Sequence, residues 1–513
     1  MRLSSMVSAV LGLCLGISYA QSNLTTPQST QKILYGDFRP PQVFENTNLV
    51  RTINLEKGYV RETTNVLITN TDKEPQSEYF LPFEYDRIGG IGGFDARDKK
   101  NAEKGPLAVT VAALADVLDA QGTSSKPTQY HIIHLAEPLP PKGTLTLSIS
   151  YHILGALTPL PASIKQDEKQ YVTYNFSAYA PTVYPTIKQK TKVKFPSSDV
   201  PEYTTTKGLT SAADPEKQGS SFTYGPYETA KIPPGTTYPV TVRYEFNKPL
   251  LVCSVLERDV EVSHWGGNLA TEERYWLRHD GATLSNHFSR LAWSTQNFYI
   301  NAGQMSTSAL RELKVPLKPG SVDPYFTDDI GNVSTSRFRP NNVREASLEL
   351  KPRYPLFGGW KYSFRIGWNN ALSSCLRKLK NPSDTYILSV PLIEGPKMPE
   401  GIQYEQFVLR IILPEGATNV QYQTHGGTGV PTLHAEQGIH KTFMDTLGRT
   451  ELKLSAANVV EEARDITVLV TYQYTFLAAL RKPMTIFAGL AVVFAVAWLV
   501  GSVDTSIGKK KRK

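Results

Sequence analysis

The sequence predicts a mainly β protein, with two tandem antiparallel β-sandwich-like domains followed by one C-terminal transmembrane helix. Three observations carry this expectation. Strand-like runs rich in Val, Thr, Tyr and Ile, such as Asn54 to Asn70, fill most of the chain, and Thr144 to Tyr151 and Lys190 to Phe195 alternate apolar with polar at period two. The runs also recur in order: Thr144–Ile153 resembles Trp360–Trp368, Tyr171–Val183 resembles Tyr386–Ile393, Lys192–Pro196 resembles Arg410–Pro414, and Pro239–Phe246 resembles Ile466–Tyr474. The offsets, about 215 to 230 residues, argue for two units of similar fold. Finally, Pro483 to Val503 is an uncharged stretch of 21 residues, long enough at a rise of about 1.5 Å per residue to cross a hydrocarbon core about 30 Å thick.

The chain opens like a secreted one. Arg2 precedes an apolar run from Met6 to Ile17, too short to span a membrane, and Ser18-Tyr19-Ala20 has the small-x-small form of a signal-peptidase site. Residues 1–20 are therefore expected to be a signal peptide, cut between Ala20 and Gln21. Residues 21–250 and 251–480 form the two expected β domains. Their boundary, near Pro249 to Ser254, lacks a flexible Gly/Ser linker, so the domains should pack closely. Most of the 35 Pro and 36 Gly fall in turns between strands. Helical periodicity is confined to Leu107–Leu118 and Ser285–Ser294.

Residues 481–503 are the transmembrane helix, with Arg481 and Lys482 at its start and Pro483 in its first turn, where a missing amide is tolerated. The tail, 504–513, carries five basic residues against two at the other flank, which places it in the cytosol and the bulk of the chain across the membrane. Lys510 and Lys511 stand fourth and third from the end, the dilysine arrangement of an endoplasmic reticulum retrieval signal; a plain stop-transfer cluster would look the same. Ala488, Ala491, Ala495 and Ser502 form a small-residue stripe along the helix, a surface another helix can approach closely.

The formal charge of +8 is misleading. Arg2, Arg481, Lys482 and the tail hold eight of the 55 Lys and Arg, and Asp504 one of the 47 acids, leaving 47 against 46 in the body. Such a body offers no electrostatic footprint for nucleic acid. Cys14 leaves with the signal peptide, so Cys253 and Cys375 are the only mature thiols; they either pair with each other or stay as two buried thiols. Three sequons, Asn23-Leu-Thr, Asn175-Phe-Ser and Asn332-Val-Ser, are glycosylation candidates, Asn332 foremost because Pro324–Pro340 reads as an exposed loop.

No catalytic constellation is legible. Metal-dependent glycosyl transfer calls for clustered carboxylates, and the nearest approach, Asp328-Asp329, reads as a solvated turn. His131-Ile-Ile-His134 would put its imidazoles on opposite faces of a strand. Arg278-His279-Asp280 with Ser285 and His287 could be drawn as a hydrolase triad, but Ser285 lacks a Gly-x-Ser-x-Gly elbow, and a buried polar network at the domain junction is the better reading. No catalytic, cofactor-binding or metal-binding residue is assigned.

The run Arg274–Ser294, RYWLRHDGATLSNHFSRLAWS, with Ser263-His-Trp-Gly266, Pro352–Trp360 and Asp445-Thr-Leu-Gly-Arg449, resembles the ribophorin I family, the large single-span subunits of the eukaryotic oligosaccharyltransferase. The resemblance covers the whole layout. It implies residence in the endoplasmic reticulum membrane beside the translocon, in the complex that moves a preassembled glycan from dolichyl diphosphate to Asn of nascent polypeptides. It further implies a noncatalytic role of scaffolding and substrate handling, since the chemistry belongs in that family to a multispanning partner subunit, and a fold like the noncatalytic β domains of aminopeptidases. The alternative is a stand-alone membrane-anchored chaperone or lectin that holds nascent chains or glycans.

Overall fold

The computed structural model describes residues 32–34, 38–114, 129–206, 214–228, 231–303, 305–341, 343–380, 384–427, 429–442, 445 and 447–502. The expected cleavage site at Ala20 and Gln21, the sequon at Asn23, and Lys510 and Lys511 lie outside the described residues.

Strands form where the sequence alternates. The main ones of the first half are β1 (Phe44–Asn54), β2 (Val60–Asn70), β3 (Thr144–Ile153), β4 (Tyr171–Ser177), β5 (Thr186–Lys194), β6 (Ser221–Tyr227) and β7 (Pro239–Glu245). Those of the second are β8 (Leu251–Ser263), β9 (Asn268–His279), β10 (Lys361–Ala371), β11 (Thr385–Pro391), β12 (Ile402–Ile412), β13 (Arg449–Val460) and β14 (Thr467–Gln473). In β2 every second residue is buried along the whole strand, so one face is given entirely to the core.

Adding seven to a strand's number gives its counterpart. β6, β5, β1, β2 and β3 lie side by side in a seven-stranded sheet, and β13, β12, β8, β9 and β10 do so in an eight-stranded one. β4 pairs with β7 as β11 pairs with β14, each in a four-stranded sheet. All four sequence pairs noted above fall on such counterparts. Among these main strands the pairing is antiparallel except for β1 with β5 and β8 with β12, which run parallel in both halves; alternation at period two cannot tell the two directions apart.

The sheets face each other across apolar cores. One cluster joins Ile53, Val66 and Ile149 of the large sheet to Tyr174 and Val242 of the small one; another joins Val260, Leu277 and Ile366 to Val390 and Val468. The first cluster ends in sequence at Leu250 and the second begins at Leu251.

The two helical expectations need correction. Val109–Leu114, inside the expected helix Leu107–Leu118, is a strand paired with Gln129–Leu139, because β-branched Val109, Thr110 and Val111 find a neighbouring strand and tertiary pairing overrides local propensity. The second helix, α1 (Arg290–Asn301), starts five residues later than expected, where the Ser289 hydroxyl caps the Ala292 amide at 3.3 Å. A short turn, α2 (Phe476–Ala479), leads into the apolar helix α3 (Arg481–Ser502), none of whose described residues is buried and which is long and apolar enough to cross a membrane.

Candidate functional site

The run that carries the family resemblance lies where the two halves meet. His279, at the end of β9, is buried, with Nε2 2.7 Å from the Ser308 carbonyl and Nδ1 accepting the Gly281 amide at 2.9 Å. Burial lowers its pKa, so the ring is neutral and Nε2 donates. Asp280 turns away to Arg278, 2.8 Å from its Nε, and the same guanidinium reaches Glu405 at 2.6 Å. Ser285 gives its amide to the Ile164 carbonyl at 2.9 Å. Both nitrogens of His279 are thus committed to backbone, and no triad is assembled.

What these residues do is join the halves. Thr283 and Leu284 pair in parallel with Ser163 and Ile164. The Gln170 amide accepts from Ala282 N at 2.9 Å and donates to Phe246 O at 2.9 Å, stitching three segments. Beneath them runs Pro352–Trp360: the Gly359 amide bonds His279 O at 2.7 Å, and a Cβ on Gly358 would stand 2.1 Å from Ala282 O, so only glycine permits the approach.

A second seam lies between the large sheets. Gln403 of β12 donates to Gly58 O and accepts from Gly155 N, both at 2.8 Å, and Asn458 of β13 donates to Gly89 O at 2.8 Å and Ile91 O at 3.0 Å. A Cβ on Gly92 would lie 1.8 Å from Asn458 O. Lys57 pairs with Glu462 at 2.8 Å, and the Tyr59 hydroxyl bonds the same carboxylate. His152 meets the Tyr59 ring edge-on at 5.6 Å, and burial pushes its pKa down to about 4. Next to this seam Glu461 is buried; desolvation, opposed by Arg464, pushes its carboxyl up to about 7. An open cleft of about 610 Å³ runs beside the seam, bordered by Lys57, Tyr59, Arg61, Lys248 and Glu462.

The other two resemblance motifs converge above α3. Trp265, at the turn between β8 and β9, donates its indole N–H to Ala479 O at 2.9 Å. Asp445 receives Lys482 of α3 at 2.6 Å and lies 3.5 Å from Arg449. Burial alone would raise the Asp445 carboxyl, but Lys482, the Thr442 hydroxyl and amide, and Arg449 outweigh it and hold the group below its ordinary value. Gly416, with φ at +89°, lets the preceding turn close on Ala478, which a Cβ would meet at 2.9 Å. Three contacts therefore hold α2 and the first turn of α3 to the β body.

Of the other residues singled out in the sequence, Asn332 is exposed in the two-residue strand Gly331–Asn332, its carbonyl bonded by Arg353 at 3.0 Å. Asn175 is exposed on β4, its side-chain oxygen accepting from Thr241 at 2.8 Å. Of the pair read as a solvated turn, Asp329 is an exposed turn residue, whereas Asp328 ends a strand with its side chain drawn in by its ion pair with Arg353. His131 is buried and stacked on Phe94, while His134 faces the other way toward Thr110 at 2.8 Å. Cys253 and Cys375 are both free, buried thiols; the Cys253 Sγ bonds Val255 O at 3.0 Å, and burial pushes its pKa up to about 12. Ala488, Ala491, Ala495 and Ser502 lie exposed along α3.

Two buried ion pairs escaped sequence reasoning. Arg51 of β1 grips Glu62 of β2 at 2.7 and 2.9 Å, and Tyr151 and Tyr174 close on the carboxylate at 2.8 and 2.9 Å. On the counterpart strands, Arg258 of β8 pairs with Glu273 of β9 and with Glu394 at 2.7 Å, and Tyr275 bonds Glu273 at 2.7 Å. Their signal was a charge at an inward position of an alternating strand.

A large β body of repeated topology fastened, among the described residues, to one apolar helix long enough to cross a membrane defines the class. The Ribophorin I family model matches residues 44–501, and the chain belongs to that family. It is 29% identical over 461 residues to subunit 1 of the dolichyl-diphosphooligosaccharide–protein glycosyltransferase of Schizosaccharomyces pombe, covering 90% of this chain and 95% of that one. It is 28% identical to subunit 1B of Arabidopsis thaliana, over 92% and 96%. With subunit 1 of Caenorhabditis elegans it shares 33% identity over 69% of this chain, but the match spans only 56% of the worm protein. Among solved structures, yeast leukotriene A4 hydrolase aligns over 39% of this chain and 28% of its own, with 9% identity and a TM-score of 0.24.

Proposed function

We propose that the chain is a noncatalytic subunit of the oligosaccharyltransferase, supporting en bloc transfer of the dolichol-linked oligosaccharide to Asn of Asn-x-Ser/Thr sequons by scaffolding and substrate handling. The observation that carries this reading is that the motifs of the family resemblance form joints or back a segment that does. The central run fastens the two halves, Pro352–Trp360 backs that run from within the second half, and the Trp265 and Asp445–Arg449 motifs fasten the body to the start of the helix. The names of the relatives supply the complex. In this reading residues 21–250 and 251–480 are two units packed as one rigid body in the lumen of the endoplasmic reticulum, the tail is cytosolic, and Lys510 and Lys511 serve retrieval. The exposed small-residue stripe on α3 faces a partner helix of the multispanning catalytic subunit, with nascent polypeptide and translocon nearby. Purification in a mild detergent tests it: co-elution with a multispanning catalytic partner is expected, whereas a chain that elutes alone and retains nascent chains or glycans would point to a free chaperone or lectin.

A further inference from the structure

The groove where the β body meets α3 has an apolar lining that continues onto the helix itself. It measures about 400 Å³ and is walled by Val262, His264, Trp265 and Tyr474 of the body and by Pro483 and Ile486 of α3. Its polar rim carries both signs: Arg449 and Lys482, each already paired with Asp445, and Glu261 and Glu415. Around it stand large apolar side chains left in the open, Trp265 at 67% exposed, Phe476 at 74%, Leu477 at 78% and Leu447 at 49%.

Length fixes their depth. The 22 residues of α3 make a rod of about 33 Å against a hydrocarbon core of about 30 Å, so the helix has almost nothing to spare. Its first turn must sit at the lipid–water boundary. The Trp265 indole is bonded to Ala479, two residues before that turn, and Asp445, two residues before Leu447, is bonded to Lys482 within it. All the exposed apolar groups named above are therefore held at headgroup level, the depth where Trp is most at home in membrane proteins.

We propose that this groove seats a zwitterionic glycerophospholipid of the adjoining leaflet, with Trp265, Phe476, Leu477 and Leu447 forming an interfacial collar that lays the β body on the membrane surface. An acyl chain would follow the apolar wall from Val262 to Ile486. The phosphate would meet the cationic side of the rim, and the quaternary ammonium the acidic side and the aromatic faces of Trp265 and Tyr474. A rim that carries both signs, its cations already partly neutralised by Asp445, fits a zwitterion better than an anionic headgroup.

The inference rests on α3 crossing the bilayer, and the test separates the two. The full chain is placed in nanodiscs of phosphatidylcholine brominated at acyl carbons 6 and 7, or 11 and 12. Tryptophan emission of the unsubstituted chain is compared with that of Trp265→Phe and Trp498→Phe, so that each difference isolates one indole. The Trp265 component should be quenched about twofold by the shallow bromines and less by the deep ones, as expected of an interfacial indole. Quenching of Trp498 without quenching of Trp265 would overturn the collar and leave the span intact, and quenching of neither would remove both. In native mass spectrometry the chain should retain one phosphatidylcholine after detergent exchange, and Ile486→Trp, which fills the groove, should release it; retention unchanged in that variant would contradict the seat.

Discussion

Glu461 and His152 sit at one seam and titrate in opposite senses. The Glu461 carboxyl ionises near 7 in the folded chain against 4.5 for the unfolded group, so its contribution to stability is full below pH 4.5 and lost as pH rises through 7. His152 runs from about 4 when folded to 6.5 when unfolded, so its contribution is full above pH 6.5 and lost as pH falls through 4. Glu461→Gln removes the first without touching the second. Its melting temperature, compared with that of the unsubstituted chain, should rise between pH 5 and pH 8, with a free-energy difference of at most about 3 kcal/mol; parallel curves would show that Glu461 is not held protonated. The buried pairs make a sharper claim. Arg51→Met strands Glu62 in the core with only tyrosine hydroxyls for partners and should cost about 3 to 5 kcal/mol in unfolding experiments. Arg51→Met with Glu62→Leu should recover most of that loss, and a single substitution that unfolds like the parent would refute the account of the pair.

At the level of elements, strands were legible because alternation is a direct imprint of a half-buried sheet, as the strict pattern of β2 demonstrates. The repeat was legible for the same reason, since β3 and β10, or β7 and β14, bury the same faces. Pairing direction was not, because β1 beside β5 depends on a chain crossover that no local pattern encodes. Nor was the strand Val109–Leu114, whose Ala and Leu suited a helix until a partner strand claimed them. The seam between the large sheets was not legible: Gly92 and Asn458 are ordinary letters until one backbone is pressed against the other. The sequons follow the same division. Asn332 sits exposed in a minimal strand, whereas the Asn175 side chain is engaged by Thr241. Asn332→Gln should raise gel mobility by one glycan, and a bare Asn332 in mass spectrometry of the purified chain would remove that expectation.

Among the described residues two halves are joined at two seams and fastened to the apolar helix, and the proposed work of this frame is to hold partners and substrate in place. A body of this kind acts through assembly, so loosening its seams should change how much complex forms rather than how fast each complex reacts. Gly92→Ala forces apart Gly92 and Asn458 and should lower recovery of the catalytic partner, with sequon occupancy falling in step. The most direct measurement is the transfer rate per assembled complex, made on purified complexes carrying either Gly92→Ala or His279→Gln, the latter keeping a donor for the Ser308 carbonyl. The rate per complex should equal that of the unsubstituted chain in both. A folded, fully assembled His279→Gln complex that binds lipid-linked glycan yet transfers none would contradict the account, because it would place a group essential to the chemistry in a chain read as supplying only the frame.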